Sequence, residues 1–461
     1  MKGKIFIILT TIFLLVIFFT QFKLVNRPVS DNDEGIYLTS FLLVDKGYQP
    51  YKKAYFSQPP GFLLSVYPEF ILFGKTLQAA RLTISLWSFI GLLAILWLSF
   101  ELKNKWAGLL VIGLLFFIPS YYSQALTFQS DVLVTTFSLL SLAAIIRFRK
   151  KFFLPWFILS SIFLNMAFWT KFDITFFPSF FVAIFLLMKE KGISFKKIIN
   201  LFLIFISVSL GFFIFFILPF GIKDVFYNSI LLRFQASSTA SLSLIDYLKR
   251  DIFLSSIIFI SLIMGLLKLK ILNYSQKIIF LWSIFIFILF IFYRPLFSHH
   301  LVILTVPFVV LFSQLIESLF RNKIIFKVLV IIVIIASLCY RIYITKKTST
   351  ILINDEQRAA ISIIKKYTNT NDVVLSDEEI LNGMSGRLPP PELADVSYVR
   401  VRSNNLTPEN FKKIINVYKP KLIIPWNGRL DSMKNFRENL SGYIILASFS
   451  ETKNIYIRIA Q

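Results

Sequence analysis

The sequence predicts an α-helical polytopic membrane protein that ends in a small α/β domain outside the membrane. Two observations carry this prediction. Of the 461 residues, 56% are hydrophobic and the mean hydropathy is +0.71, whereas soluble proteins are about 45–50% apolar. Apolar runs long enough to cross a bilayer recur as far as residue 345 and then stop. We therefore expect a transmembrane domain over 1–347 and a soluble α/β domain over 348–461.

The apolar runs predict about eleven transmembrane helices. Lys2 and Lys4 followed by the first apolar run resemble the start of a signal peptide. The run lacks a small-x-small cleavage site, so we expect it to remain as an uncleaved helix. Two amphipathic pieces, 36–45 and 61–74, are too short or too broken to span and are predicted to lie at the interface. The predicted spans are 5–22, 78–100, 106–122, 132–147, 152–169, 173–188, 198–219, 252–267, 278–293, 301–318 and 324–345.

The basic residues predict the orientation of the chain in the membrane. If every run spans, 18 lysines and arginines fall in the loops on one side, whereas the three short loops on the other side carry only Lys171 and Arg294. Positive loops stay in the cytoplasm. We expect a cytoplasmic N-terminus in a cell (plasma) membrane, with the first loop, 23–77, and the C-terminal domain on the extracytoplasmic face.

The net charge of +24 does not indicate nucleic-acid binding. From Ile351 onward the chain has 15 basic and 12 acidic residues, so the soluble part is nearly balanced. The excess lies at the ends of apolar runs, which is typical of topology signals and of contacts with lipid phosphates. We therefore expect the protein to interact with the lipid bilayer and not with nucleic acid.

The last part of the chain alternates predicted helices and strands. A helical pattern covers 355–367, and Thr407 is expected to cap a helix that has Pro408 at its first position. Alternation of this kind is typical of a small α/β domain. The predicted strands are 372–376, 421–425, 442–449 and 454–459.

The sharpest candidate site is the acidic stretch that follows the first span. Asp31, Asp33 and Glu34 have no place in lipid, because a charge there costs several kcal/mol. We interpret Asp33 as a catalytic base with Glu34 beside it, the alternative being a solvated cluster of loop charges. Glu34 is expected to hold the loop, because adjacent side chains of an extended segment point apart. Asp131 is predicted to cap a helix with Ser130, to position substrate, or both.

Cations are predicted to gather on the same face as the acids. Lys171, Arg294, His299 and His300 lie at the outer ends of spans, and Arg81 lies at the outer start of the second span. Each of these residues also has a simpler interpretation. Lys171 would extend to the membrane interface, and Arg294 and the two histidines would anchor their helices there. Arg81 would form an ion pair with an acid of the first loop. As a set they are predicted to bind a substrate phosphate.

Four short motifs resemble the first-loop signature of GT-C glycosyltransferases. The closest group is the protein-mannosyltransferase-like and aminoarabinose-transferase-like one of prokaryotes. Asp131, Thr170–Lys171 and His299–Pro307 resemble later landmarks of that group. The four motifs are Asp33-Glu34-Gly35-Ile36-Tyr37, Gly47-Tyr48-Gln49-Pro50-Tyr51, Gln58-Pro59-Pro60-Gly61 and Ala80-Arg81-Leu82.

The resemblance implies a GT-C fold over roughly residues 1–345 and a polyprenyl-phosphate-linked sugar as the donor. It implies hexosyl or pentosyl transfer on the extracytoplasmic face, with Asp33 as the catalytic position. The substrate loop would include Tyr37, Gln58, Pro59 and Pro60. Asp31 lies outside the family pair, so an exchange of roles between Asp31 and Asp33 stays open.

The chemistry of such a donor matches this set of residues. Phosphate leaves as a stable anion, so the reaction needs a base for the acceptor hydroxyl and cations for the phosphate, and it needs no general acid. We expect inversion at the anomeric carbon, no cofactor and no dedicated metal site. The acceptor (protein, lipid or glycan) stays open.

Two other functions remain open from the sequence. A flippase or transporter of lipid-linked sugars would favour charges at mid-membrane and interrupted helices, whereas these runs are mostly uninterrupted and the charges lie at their ends. An oligosaccharyltransferase-like enzyme would use a divalent metal held by the same acids.

Overall fold

The computed structural model of the chain describes residues 2–172, 194–235, 242–320, 322–348 and 350–459. Ten of the eleven predicted spans coincide with helices in these ranges, and the eleventh, 173–188, lies outside them. The predicted run 106–122 is interrupted, because its first helix ends at Leu115 and a short one begins at Pro119. The helices of the membrane part are α1 Lys2–Leu24, α2 Asn32–Asp45, α3 Pro60–Leu72, α4 Leu77–Glu101, α5 Lys105–Leu115, α6 Pro119–Tyr122, α7 Asp131–Lys151, α8 Leu154–Thr170, α9 Phe195–Phe216, α10 Ile222–Phe226, α11 Leu232–Gln235, α12 Leu244–Arg250, α13 Ile252–Leu267, α14 Tyr274–Phe292, α15 Leu301–Leu319 and α16 Lys323–Lys347.

The chain is a multi-pass membrane protein. Within the described residues, six helices are long and apolar enough to cross a bilayer, and the bent pair α12–α13 would make a seventh. Four further apolar helices of 10–17 residues accompany them, within α3, α5, α8 and α14. Helix α7 packs against α4, α8 and α15, and buried side chains cover most of α7 and α15. The total of eleven spans stays a prediction.

Both predicted interface segments are helical, as α2 and α3. Helix α2 begins at Asn32, four residues before the predicted start, so the acidic stretch belongs to its first turn. The expectation of an extended segment at Asp33 and Glu34 is therefore wrong. The two side chains diverge because successive residues of an α-helix are turned by about 100° about its axis.

The C-terminal domain contains the predicted helices and strands in the predicted order, together with two short helices at 379–385 and 398–402 that the sequence did not predict. Its helices are α17 Asp355–Tyr367, α18 Glu379–Ser385, α19 Tyr398–Arg402 and α20 Pro408–Tyr418, and Thr407 caps α20 as expected. Its strands are β1 Val374–Ser376, β2 Leu422–Ile424, β3 Tyr443–Ser448 and β4 Asn454–Arg458. They form one sheet in the order β1-β2-β4-β3, in which β1 and β2 are parallel and β4 is antiparallel to both of its neighbours.

The C-terminal domain packs directly on helix α2. A Cβ atom at Gly35 would lie 2.5 Å from the backbone nitrogen of Ile380, so only glycine permits this approach of α18. Thr39 Oγ1 donates a hydrogen bond to the carbonyl of Glu379 at 3.0 Å. Beside this contact, the guanidinium of Arg400 lies 3.7 Å from the ring centre of Tyr55. The helix that carries the acidic stretch is thus held between the membrane helices and the soluble domain.

Labelling of introduced cysteines is expected to place the C-terminal domain outside the cell. Ser376 is buried and unsuitable as a reporter, whereas Glu451 is exposed in the loop between β3 and β4. In a Cys339→Ser background, Glu451→Cys should react with a membrane-impermeant maleimide on intact cells. Lys270→Cys, between α13 and α14, is the control and should react only after lysis. The reverse pattern would refute the predicted topology.

Candidate active site

The first turn of α2 places three carboxylates in three different surroundings. Asp31 is the N-cap, and its Oδ1 accepts a hydrogen bond from the backbone N–H of Asp33 at 3.0 Å. Asp33 lines a cavity of about 820 Å³ between the membrane helices and the C-terminal domain. Glu34 is fully buried and does not line the cavity. Carboxylates are favoured at this position, because the N-terminus of a helix carries partial positive charge.

Glu34 and Arg81 form a buried, two-pronged ion pair. Arg81 Nε donates to Oε1 at 2.7 Å, Arg81 Nη2 donates to Oε2 at 2.6 Å, and both side chains are 0% exposed. Glu34 Oε1 also accepts from the backbone N–H of Phe128 at 3.0 Å. The remaining N–H groups of Arg81 donate to the carbonyls of Val25, Arg27 and Pro28. Arg81 thus pairs with an acid of the first loop, which is the simpler of the two interpretations that the sequence allowed. Arg81 does not line the cavity, and its contact with phosphate stays a prediction that this geometry does not favour.

Asp131 and Lys171 form a second buried pair. Lys171 Nζ donates to Asp131 Oδ1 at 2.8 Å, and neither residue lines the cavity. Asp131 begins α7, and Lys171 directly follows the last residue of α8. The pair therefore joins two helix ends near Asp33. Substrate contacts of Asp131 and Lys171 stay predictions.

A chain of hydrogen bonds connects Asp33 with the substrate-loop residues. Tyr37 donates to Asp33 Oδ2 at 3.5 Å and accepts from Nε2 of Gln58. Gln58 Oε1 in turn accepts from the hydroxyl of Ser130 at 3.3 Å. Gln58 is followed by Pro59 at the N-cap and Pro60 at the first position of α3. The two prolines thus set where α3 begins, and Gln58 and Tyr37 both line the cavity.

The surroundings of Asp31 and Asp33 move their pKa values apart. Burial and the nearby charge of Asp31 raise the pKa of Asp33 to about 6. Burial alone would also raise the pKa of Asp31, but hydrogen bonding and charge attraction to His299 lower it to about 2. A pair of carboxylates separated in this way has one permanent anion and one group able to exchange a proton near neutral pH. This difference favours Asp33 over Asp31 as the base.

Three of the predicted phosphate ligands line the cavity together: Arg294, His299 and His300. His299 Nδ1 lies 3.5 Å from Asp31 Oδ2 and 3.3 Å from Gln129 Nε2. His300 Nδ1 accepts from the backbone N–H of Phe297 at 3.2 Å. A neutral His300 therefore has its proton on Nε2, where it can act as a donor.

The sequence interpretation missed the wall of the cavity that the C-terminal domain supplies. No local motif marks these positions, and the nearest of them lies more than 360 residues after Asp33 along the chain. Only the packing of the domain on α2 brings them to the cavity. They are Asp395, Ser397, Tyr398, Val399, Arg400, Asn405 and Arg429.

One group of residues has the donor atoms of a metal site. Asp31, Asp33 and His299 each offer one ligand atom, and these atoms all lie within 4.8 Å of one another. Two carboxylates and an imidazole suit a divalent cation such as Mn²⁺ or Zn²⁺. The donor set therefore fits a divalent metal, whose presence stays open.

Comparisons with known proteins agree with this architecture. A family model described as dolichyl-phosphate-mannose-protein mannosyltransferase matches residues 57–218. No curated protein matches the sequence significantly. The crystal structure of ArnT from Cupriavidus metallidurans bound to undecaprenyl phosphate is similar with a TM-score of 0.67 and 13% identity, over 100% of this chain and 99% of that one. Its apo form gives 0.66, at 12% identity over 99% and 98%.

A second kind of solved structure is similar over most of this chain. The oligosaccharyltransferase of Archaeoglobus fulgidus, tethered to an acceptor peptide, has a TM-score of 0.53 and 12% identity, over 97% of this chain and 74% of that one. The same enzyme in complex with zinc and sulfate gives 0.52, at 11% identity over 96% and 73%. At sequence identities this low, the similarity is one of fold. The fold and the family match confirm the predicted resemblance: the chain has the GT-C fold and is similar to the protein-mannosyltransferase-like and ArnT-like members of that superfamily.

Proposed function

We propose that the protein is a membrane glycosyltransferase that moves a sugar from a polyprenyl-phosphate donor to an acceptor on the extracytoplasmic face. The observation that carries the proposal is the cavity, in which a carboxylate of raised pKa, Asp33, shares one space with the guanidinium of Arg294 and the imidazoles of His299 and His300. A base and a phosphate site are what transfer from a glycosyl phosphate requires. The similar ArnT structure is bound to undecaprenyl phosphate, which is the kind of lipid the proposal needs.

The cavity also has an apolar wall suited to a lipid chain. Its members come from the C-terminal ends of α8 and α14, from the segments that follow these two helices and from the start of α11: Phe168, Phe172, Leu232, Phe292 and Phe297. Apolar side chains at the membrane surface favour a hydrocarbon chain, because its burial removes apolar area from water. The phosphate of such a lipid would then lie beside Arg294.

The proposed reaction is a single displacement. The acceptor oxygen forms a bond to the anomeric carbon while the bond from that carbon to the phosphate oxygen breaks. The proton of the acceptor hydroxyl passes to Asp33, and the bonding electron pair leaves with the phosphate. Attack opposite the leaving group inverts the anomeric configuration. Asp31, held as an anion beside His299, would keep that imidazole oriented toward the cavity.

The purified protein, incubated with a panel of polyprenyl-phosphate hexoses and pentoses, tests the proposal. Candidate acceptors are supplied as membrane lipids, glycans and peptides in separate reactions. Release of polyprenyl phosphate together with a glycosylated acceptor of inverted configuration supports it. Movement of intact donor across a vesicle membrane without release would refute it in favour of a flippase, and a product that retains the configuration would exclude the single displacement.

A metal-dependent, oligosaccharyltransferase-like enzyme is the second candidate. The grouping of Asp31, Asp33 and His299 favours it, and a structure of the similar archaeal oligosaccharyltransferase holds zinc. A divalent cation bound there would supply positive charge for the leaving group. Loss of activity on chelation, restored by Mg²⁺ or Mn²⁺, would support this candidate. Full activity after exhaustive chelation would exclude it.

Arg294→Ala is expected to weaken donor binding about tenfold or more. A charge-assisted contact with phosphate contributes about 1.5–3 kcal/mol, and Arg294 lines the cavity. The dissociation constant for the donor, measured by displacement of a fluorescent polyprenyl phosphate, checks the effect. Arg358→Ala removes an exposed arginine of α17 and is the matched control. Equal affinities in the two variants would mean that the phosphate lies elsewhere.

A further inference from the structure

We propose that the C-terminal domain binds the hydroxyl groups of the donor sugar through Asp395 and Arg429. This inference rests on the proposed glycosyl transfer and names the part of the substrate that this domain recognises. Both residues line the cavity that contains Asp33, and both are buried: Asp395 is 5% exposed and Arg429 is 2% exposed.

Asp395 presents a carboxylate oxygen that the fold leaves available. Its Oδ1 accepts a hydrogen bond from the backbone N–H of Ser397 at 2.7 Å, which orients the carboxylate. Within the described residues, no hydrogen bond to Oδ2 is found. Asp395 is also close enough to Asp33 for the two charges to interact. A hydroxyl bound at Asp395 would therefore lie near the reacting centre.

Arg429 presents the complementary donor. Its Nη1 lies 3.0 Å from both carboxylate oxygens of Glu379, whereas its Nη2 is buried and has no hydrogen-bond partner in the described parts of the chain. A buried donor without a partner is unfavourable, so a ligand or a water molecule is expected to supply the acceptor.

The loop that carries Arg429 is rigidly held by one carboxylate. Asp377 accepts four backbone hydrogen bonds, from Trp426 at 2.6 Å, Asn427 at 3.0 Å, Arg429 at 2.9 Å and Leu430 at 3.0 Å. Asp377 is itself 0% exposed. Its position fixes the backbone of Arg429, and Glu379 fixes the side chain. A preorganised site of this kind binds its ligand with a smaller loss of conformational entropy.

The local charge favours a neutral ligand over an anion. The carboxylates of Glu379, Asp377, Glu378 and Asp395 all act on the guanidinium of Arg429. The guanidinium is thus already paired with Glu379 and surrounded by further acidic side chains, which disfavour a second anion beside it. A hydroxyl has one hydrogen to donate and two lone pairs, so it can donate to Asp395 and accept from Arg429. Neighbouring hydroxyls of a sugar ring offer both functions repeatedly.

The test compares the wild-type protein with Asp395→Asn and Arg429→Lys. Asp395→Asn keeps an oxygen for Ser397 and changes the other group from an acceptor to a donor. Arg429→Lys keeps the charge beside Glu379 and removes the second nitrogen. Asp372→Asn is the matched control, because it removes a carboxylate of the same domain that pairs with Lys421 outside the cavity.

With the polyprenyl-phosphate sugar that the panel identifies, Asp395→Asn is expected to raise the donor KM about tenfold or more, with a smaller change in kcat. Monodeoxy analogues of that donor provide the specific readout. The wild-type protein should discriminate against one analogue by a similar factor, and Asp395→Asn should not discriminate between that analogue and the complete sugar. A variant that keeps the wild-type preference for the complete sugar, or that changes only the acceptor KM, would overturn the inference while leaving the proposed reaction intact.

Saturation-transfer NMR with free methyl glycosides keeps the two proposals separate, because it needs no turnover. Transfer to a glycoside from the wild-type protein and from Asp372→Asn, but not from Asp395→Asn or Arg429→Lys, supports the sugar site even if no donor is consumed. Equal transfer from all four proteins, or none from the wild-type protein, would overturn it.

Discussion

Asp33→Asn is expected to lower turnover by about 10²–10⁴-fold while donor binding survives. Asparagine keeps the shape of the side chain and its place in the cavity wall, but it cannot accept the proton of the acceptor hydroxyl, and general-base catalysis typically contributes a factor of that size. The rate of polyprenyl phosphate release at saturating donor measures the effect, and the dissociation constant of the donor shows whether binding is retained.

Asp31→Asn is the matched control for this prediction. It removes the same charge two residues away, and asparagine caps a helix as well as aspartate does, so its turnover should fall far less. The pH profile gives a second readout. The pKa of Asp33 is raised to about 6 and the base must be ionised, so the wild-type rate should increase with pH through about 6 and level off above it. Near-normal turnover in Asp33→Asn would refute the assignment of Asp33 as the base.

Glu34→Gln is expected to destabilise the protein by about 3–5 kcal/mol, because it leaves the fully buried guanidinium of Arg81 without its anion. Glu34 and Arg81 make two direct hydrogen bonds, and Arg81 also donates to three carbonyls of the chain before α2. The midpoint of thermal unfolding in detergent checks this. The double variant Glu34→Leu/Arg81→Met should recover part of the loss, since it leaves no unpaired charge.

Glu356→Gln is the control for the buried pair. Its carboxylate pairs with Lys453 and is 48% exposed, so its removal should change stability by about 1 kcal/mol or less. If Glu34→Gln kept the wild-type unfolding midpoint and lost turnover, Glu34 would take part in the chemistry and would not merely hold Arg81. A stable fold with normal turnover would show that Arg81 needs no anion.

The sequence by itself determined the class of the protein and the position of its candidate catalytic stretch. The lengths of the apolar runs predicted helices that the structure contains, because a bilayer about 30 Å thick demands about 20 apolar residues. The acidic stretch at Asp31–Glu34 could be selected from sequence because charged residues are excluded from lipid, and the resemblance to GT-C glycosyltransferases pointed to Asp33 within it. Hydrophobicity and charge act locally along the chain, and both can be read from a short window of residues.

The tertiary structure alone decided which charges are available to a substrate. Arg81 and Arg294 look alike in sequence, yet Arg81 is enclosed with Glu34, whereas Arg294 lines the cavity. Lys171 is likewise enclosed, in an ion pair with Asp131. Arg429, in contrast, lines the cavity although it belongs to a domain that begins more than 300 residues after Asp33. Pairing of this kind depends on which helix ends the fold brings within about 3 Å of each other. The partners, residues 34 and 81 and residues 131 and 171, are too far apart along the chain for a local sequence pattern to pair them.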